Sequence, residues 1–133
     1  MINFLFVFSD WGIFVLRLVL GLILIAHGWP KIKNLRGTAE WIGKIFKLGM
    51  FWATVVALTE FVGGIFLIFG FLTQIFAFIV AIEFIVIIIK LNWRKGLVGG
   101  YEFDLLILAS ALALATLGAG GYSIDHFLGL ILY

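Results

Sequence analysis

Cysteine is absent from this chain, which rules out disulfide relays, thiolate nucleophiles and iron–sulfur clusters built from it alone. Histidine occurs twice, at His27 and His126, and proline once, at Pro30. The two histidines fall toward opposite membrane faces in the topology derived below, so they cannot share a haem or a metal. Ser123, Asp125 and His126 lie too close in sequence to imply a catalytic triad. Charge is scarce: 12% of the 133 residues are Asp, Glu, Lys or Arg, against 65% hydrophobic. A soluble domain of this size buries too little surface to hide that much apolar area. Lipid must be the outer solvent. The opening MINFLFVFSD lacks the basic n-region and cleavage site of a signal peptide and reads as a short apolar lead into the first helix.

What is present is hydrophobic length. Mean hydropathy is +1.27, and four segments approach the ~20 residues needed to cross a ~30 Å hydrocarbon core. They run approximately over 11–29, 51–70, 72–91 and 101–118. The predicted fold is all-α: one integral membrane domain over residues 1–133, a four-helix bundle. The turn between spans two and three is so short that they must form an antiparallel pair. Lys31, Lys33, Arg36, Lys44 and Lys47 follow span one; Lys90, Arg94 and Lys95 follow span three. The positive-inside rule makes both groups cytoplasmic and puts both termini outside a cell membrane. Trp29, Trp41, Trp52, Trp93 and Tyr101 form the matching aromatic belt. The pI near 9.1 therefore reports topology, and no nucleic-acid partner is expected.

Residues 35–48 read as an amphipathic interfacial helix. Arg36, Glu40, Lys44 and Lys47 share one face, and Leu35, Ala39, Ile42, Ile45 and Phe46 the other. Membrane lipid is its expected partner, with docking of a soluble protein as the alternative. The glycine-rich tail 118-GAGGYSIDHFLGLILY-133 should form a short cap over the outer mouth of the bundle, with a helix cap at Ser123 or Asp125.

A polar seam threads the spans. Arg17, Gly21, Leu24, Gly28 and Lys31 recur at helical spacing, with His27 beside them. Ala53, Ala57, Glu60 and Gly64 form a second stripe; Glu102, Leu106, Ala109, Ala113 and Thr116 form a third. Gly21, Gly28, Gly63 and Gly64 read as packing residues that let helices approach in lipid. Counting ~1.5 Å per residue places Arg17 about 9 Å and Glu60 about 15 Å from the outer boundary, so an Arg17–Glu60 pair is expected. Lys31 reads as a topology signal that snorkels where the first helix exits at Pro30. Glu83 and Asp104 are secondary candidates: Glu83 for chemistry or, equally, for a role particular to this protein or an oligomer contact, and Asp104 with a simple place at the inner interface as its alternative.

The runs R-L-x-L-G with H-G-x-x-K (Arg17 to Gly21; His27, Gly28, Lys31), E-F-V-G-G (Glu60 to Gly64), and L-x-x-G-F-L-T ending at Thr73 resemble the DoxX/DoxD-like membrane family. Glu102 and the closing G-A-G-G-Y-S-I-D (Gly118 to Asp125) match its ending. The resemblance covers about Trp11 to Leu128, and Glu83 departs from the common pattern. It implies a small prokaryotic four-helix membrane protein whose relatives are linked to thiosulfate:quinone oxidoreductase and a terminal quinol oxidase. A further relative assembles with a sulfurtransferase and a superoxide dismutase. The motif positions carried over are Arg17, His27, Lys31, Glu60 and Glu102, with no roles assigned.

The functional expectation is a quinone-linked oxidoreductase subunit or accessory in redox or sulfur metabolism. It would carry no intrinsic cofactor or metal, with a bound quinone as the expected ligand. Soluble redox or sulfur-transfer partners at the cytoplasmic face and a homo-oligomer are compatible with it. Two alternatives stay open: a non-enzymatic scaffold for soluble proteins, and binding or passage of a small solute or lipid. Whether the chain is itself an enzyme is left undecided.

Overall fold

A computed structural model describes residues 3–130, most of them helical, with no strand among them. The helices are α1 (Asn3–Phe6), α2 (Ser9–Lys33), α3 (Leu35–Gly43), α4 (Gly49–Phe69), α5 (Thr73–Ile87), α6 (Glu102–Leu117) and α7 (Ile124–Leu128). Residues 1–2 of the apolar lead and 131–133 of the apolar tail lie outside the described part. Four segments are long and apolar enough to span a membrane: Ser9–Lys33, Gly49–Phe69, Thr73–Lys95 and Leu97–Leu117. This is an all-α membrane bundle, as the composition requires.

The first span does not exit at Pro30. Proline removes one backbone donor, but it sits close to the helix end, and α2 runs on to Lys33, where the Asn34 amide donates to the Pro30 carbonyl at 3.0 Å. Lys31 is thereby held on the same face as His27, four residues earlier.

Helices α2 and α4 form the most extensively packed pair among the described helices. A Cβ at Gly21 would stand 2.6 Å from the Gly64 carbonyl oxygen, and one at Gly64 would stand 2.7 Å from the Gly21 oxygen. Backbone therefore meets backbone, which only paired glycines permit. Gly28 repeats the device one level along, where a Cβ would meet the Phe61 amide nitrogen at 2.6 Å. Gly63 faces the Phe76 ring instead. The stripes expected on the first two spans are the buried ones: Arg17, Gly21, Leu24 and Gly28 on α2; Ala53, Ala57, Glu60 and Gly64 on α4.

On α6 the expected stripe is wrong. Ile107, Ala111 and Leu114 are buried against the α5 side, whereas Leu106 is 64% exposed. This helix has alanines on several faces and apolar residues all round, so small-residue spacing alone could not select its inward face. The observed face carries Asp104, three residues before Ile107, rather than Glu102.

The amphipathic helix is shorter than expected and faces protein. It stops at Gly43, a turn carries the chain to Leu48, and Leu48 takes a left-handed conformation (φ 61°) before α4. Ala39 and Ile42 pack with Ala53 of α4, while Ile45, expected on the apolar face, is exposed. Between α5 and α6 the chain passes through a π turn at Ile88–Asn92, a 3₁₀ turn at Trp93–Lys95 and a kink at Leu97–Tyr101, where Val98 and Gly99 leave the helical conformation. Turns of the π type occur often at functional sites.

Candidate functional site

Polar groups gather at two ends of the bundle. At the end holding the tail, Arg17 is fully buried. Its Nη1 donates to the carbonyls of Leu67 (3.1 Å) and Ile68 (3.2 Å), and its Nη2 donates to the carbonyl of Tyr122. The first two lie in the last turn of α4, where the helix dipole favours a cation. Asp125 is the complementary anion. Its carboxylate accepts from the Leu72 amide at 2.7 Å and the Thr73 amide at 2.8 Å, capping the first turn of α5.

These contacts tie down the tail as a cap. The Asp10 carboxylate accepts from the Gly121 amide at 2.9 Å, and Trp11 and Phe14 pack on Tyr122. Gly70, at φ 68°, has no room for a side chain between Arg17 and Ser123. Ser123 caps α7 by accepting from the His126 amide. Asp125 caps a different helix across the fold. Arg17 does not pair with Glu60; that expectation fails because both terminal nitrogens of the guanidinium are held by α4 carbonyls and the tail at the other end of the bundle.

Glu60 belongs to the opposite, basic end. Lys31 Nζ donates to its Oε1 at 2.6 Å and its Oε2 at 2.5 Å. The Glu60 side chain is 2% exposed and that of Lys31 26%. Close approach at Gly28 brings α2 onto Glu60, and Lys31, one turn farther on, reaches the carboxylate. Instead of snorkelling outward it turns in. Glu83 lies beside this pair, within electrostatic reach of both Glu60 and Lys31. Both Glu83 oxygens are buried, and its carboxyl is hydrogen-bonded to that of Glu60.

The pair and Glu83 line a cavity of about 630 Å³. Trp41, Trp52, Phe84 and Phe103 contribute aromatic walls, and Lys90 and Lys95 also border it. His27 lines it too, with its ring stacked on Phe103 (centroids 5.8 Å apart) and its Nδ1 2.8 Å from the Ile23 carbonyl. Asp104 accepts from Asn92 Nδ2 at 2.5 Å, joining the π-helical end of the third span to α6. Glu102 is absent from the lining. It is exposed and accepts from the Gly99 amide at 2.9 Å, ordering the turn before α6.

The cavity thus unites His27, Lys31, Glu60, Glu83 and Asp104, and leaves out Arg17 and Glu102. Sequence reasoning gave Asp125 only as a local cap, and nothing in its spacing points to α5. The aromatic walls had a signal: the interfacial tryptophans cluster at this end.

Comparison with known proteins points one way. The DoxX family model matches residues 12–93. The chain is 34% identical over 116 residues to a Bacillus subtilis protein named "Putative oxidoreductase CatD", covering 87% of this chain and 86% of that one. It is also 34% identical over 124 residues to "Inner membrane protein YqjF" of Escherichia coli, covering 90% and 94%. No solved structure matches it.

Proposed function

The chain belongs to the DoxX family of membrane proteins, and from that premise we propose that it is a quinone-linked subunit or accessory of an oxidoreductase. Its ligand site is the cavity at the basic end. The observation that carries this reading is the cavity's chemistry: about 630 Å³ of mostly apolar, aromatic-walled space with a buried ion pair and a second buried acid, Glu83, in its lining. That volume falls within the ~300–1,000 Å³ of small-molecule sites, which combine apolar walls with a few polar groups. The name of the Bacillus subtilis relative supports the redox direction.

A flat ring with an apolar tail and polar oxygens fits these residues. Trp41, Trp52, Phe84 and Phe103 would enclose the ring, and the Lys31 ammonium would meet one of its oxygens. A quinone, when bound, supplies two-electron, two-proton carrier chemistry. The chain's own part is to exclude water, orient the ring and hold protons nearby. With Nδ1 facing the Ile23 carbonyl, His27 has Nε2 left for proton exchange. The Lys31–Glu60 pair keeps a cation at mid-bundle depth without leaving a bare charge there.

Extraction in mild detergent followed by mass spectrometry of bound small molecules tests the reading. A quinone should co-purify or bind saturably when supplied; recovery of phospholipid alone after quinone is supplied contradicts it. A second reading rests on the exposed Arg36, Lys44 and Lys47, which suit an acidic soluble redox or sulfur-transfer partner. Affinity isolation from native membranes tests it, and it fails if no soluble protein is enriched.

A further inference from the structure

The cavity grades from a self-satisfied interior to a cationic rim. Inside, Lys31 donates to both oxygens of Glu60, and the buried Glu83 carboxyl is hydrogen-bonded to that of Glu60. Asp104 accepts from Asn92, and His27 faces the Ile23 carbonyl through Nδ1. At the rim, Lys90 and Lys95 are exposed, and among the described residues no carboxylate is paired with either. Lys90 follows Glu83 by seven residues on the third span, which sets it roughly 10 Å nearer the surface by helical rise. Between the two lysines in sequence, Trp93 stacks on Tyr101 with centroids 5.5 Å apart; aromatic residues of this kind sit at headgroup depth. The lips of the opening are apolar. Trp41, Ile45, Trp52 and Val86 line the cavity and are still between 39% and 49% exposed. In a bilayer, apolar lips of this kind take up hydrocarbon in preference to water.

We propose that the mouth of this cavity is a binding site for an anionic phospholipid of the phosphatidylglycerol type, with Lys90 and Lys95 on its phosphate and one acyl chain laid in the apolar interior. Charge complementarity selects the head: basic pockets between membrane helices recognise anionic headgroups, and these two ammonium groups have no acid of their own. The walls select the chain, and the exposed Ile82 and Ile85 of α5 offer the second chain an apolar ridge outside the cavity. A zwitterionic lipid supplies the same chains but brings a competing cation to the lysines. A soluble anion supplies the charge but nothing to fill the apolar space. The inference goes beyond the quinone reading and does not depend on it.

The test is native mass spectrometry of the full chain in detergent, supplied with phosphatidylglycerol and phosphatidylcholine of identical chains and with no quinone. Phosphatidylglycerol should be retained on the order of tenfold to thirtyfold more strongly, since each lysine near an anionic lipid contributes about fivefold. Lys90→Gln/Lys95→Gln should bring the ratio close to one. Lys33→Gln/Arg36→Gln, an equal loss of charge away from the lining, should leave it in place. In a second arm, phosphatidylglycerol brominated along its chains should quench the tryptophan fluorescence, and Trp41→Phe/Trp52→Phe should remove most of that quenching. Equal retention of the two lipids by the natural chain overturns the inference. So does a preference that survives the Lys90/Lys95 change or falls as far in the Lys33/Arg36 control. Quenching unchanged in the tryptophan variant overturns it too, because the chain then lies elsewhere. Displacement of the lipid by glycerol phosphate, which has no chains, would mark a site for a free anion and overturn it as well. With no quinone in either arm, failure here leaves the quinone site standing, and failure of a quinone to bind leaves this site standing.

Discussion

Lys31→Met leaves the Glu60 carboxylate almost fully buried without its observed cationic partner. Breaking a buried pair by removing one member costs about 3–5 kcal/mol, more than replacing both members together. The Lys31 side chain is about a quarter exposed, so the lower end of that range is expected. The double variant Lys31→Met/Glu60→Gln should recover most of the loss, read from thermal unfolding midpoints in detergent. Losses that simply add would show that the two side chains do not depend on each other. That Arg17 and Glu60 are buried was legible in the stripes of α2 and α4. Their partners were not, because helix rise gives depth but not which acceptors surround a guanidinium. Three backbone carbonyls hold Arg17, and a carbonyl leaves no mark in sequence.

Two helix ends meet at the turn from Gly70 to Leu72, and each is neutralised by one buried charge. Arg17 donates to carbonyls in the last turn of α4, and Asp125 accepts from the first amides of α5. Leu72 is held there at φ 50°, a conformation uncommon outside glycine. Asp125→Ala removes both bonds to the α5 amides. It should cost at least the ~1–2 kcal/mol of a lost cap, again as a fall in unfolding midpoint, without weakening ligand binding at the other end. A variant that keeps its stability, or that loses ligand affinity, would mean the tail is not an independent cap. Element existence was plain from hydropathy. Element faces were readable only where glycine broke the symmetry, as on α2 and α4. Along α6 apolar residues surround the axis, and packing against α5 decided the matter. The interfacial helix was recognisable by its charged face, but its apolar face packs on α4 through Ala39 and Ile42.

The polar chemistry of the molecule divides between a capped end and an open end. The capped end is the strapped tail around Arg17 and Asp125, with Trp11 packed on it; the open end carries the larger cavity, the other four tryptophans and the basic loops. The positive-inside rule predicts that the open end faces the cytoplasm, an orientation that would give soluble partners access to the cavity rim. The absence of native cysteine makes this directly measurable by single-cysteine labelling with a membrane-impermeant maleimide. Lys47→Cys should react only in inside-out vesicles and Ser9→Cys only in intact cells or right-side-out vesicles; the opposite pattern reverses the orientation. The most direct test of the central claim is photolabelling of the protein in membranes with an azido-quinone, followed by peptide mapping. Labels should fall on the segments that line the basic-end cavity, from His27 to Lys31, Trp41 to Glu60 and Glu83 to Asp104, and should fade when excess decylhydroquinone competes. Labelling spread over the lipid-facing surface, or centred on Arg17 and Tyr122 and indifferent to competitor, would contradict it.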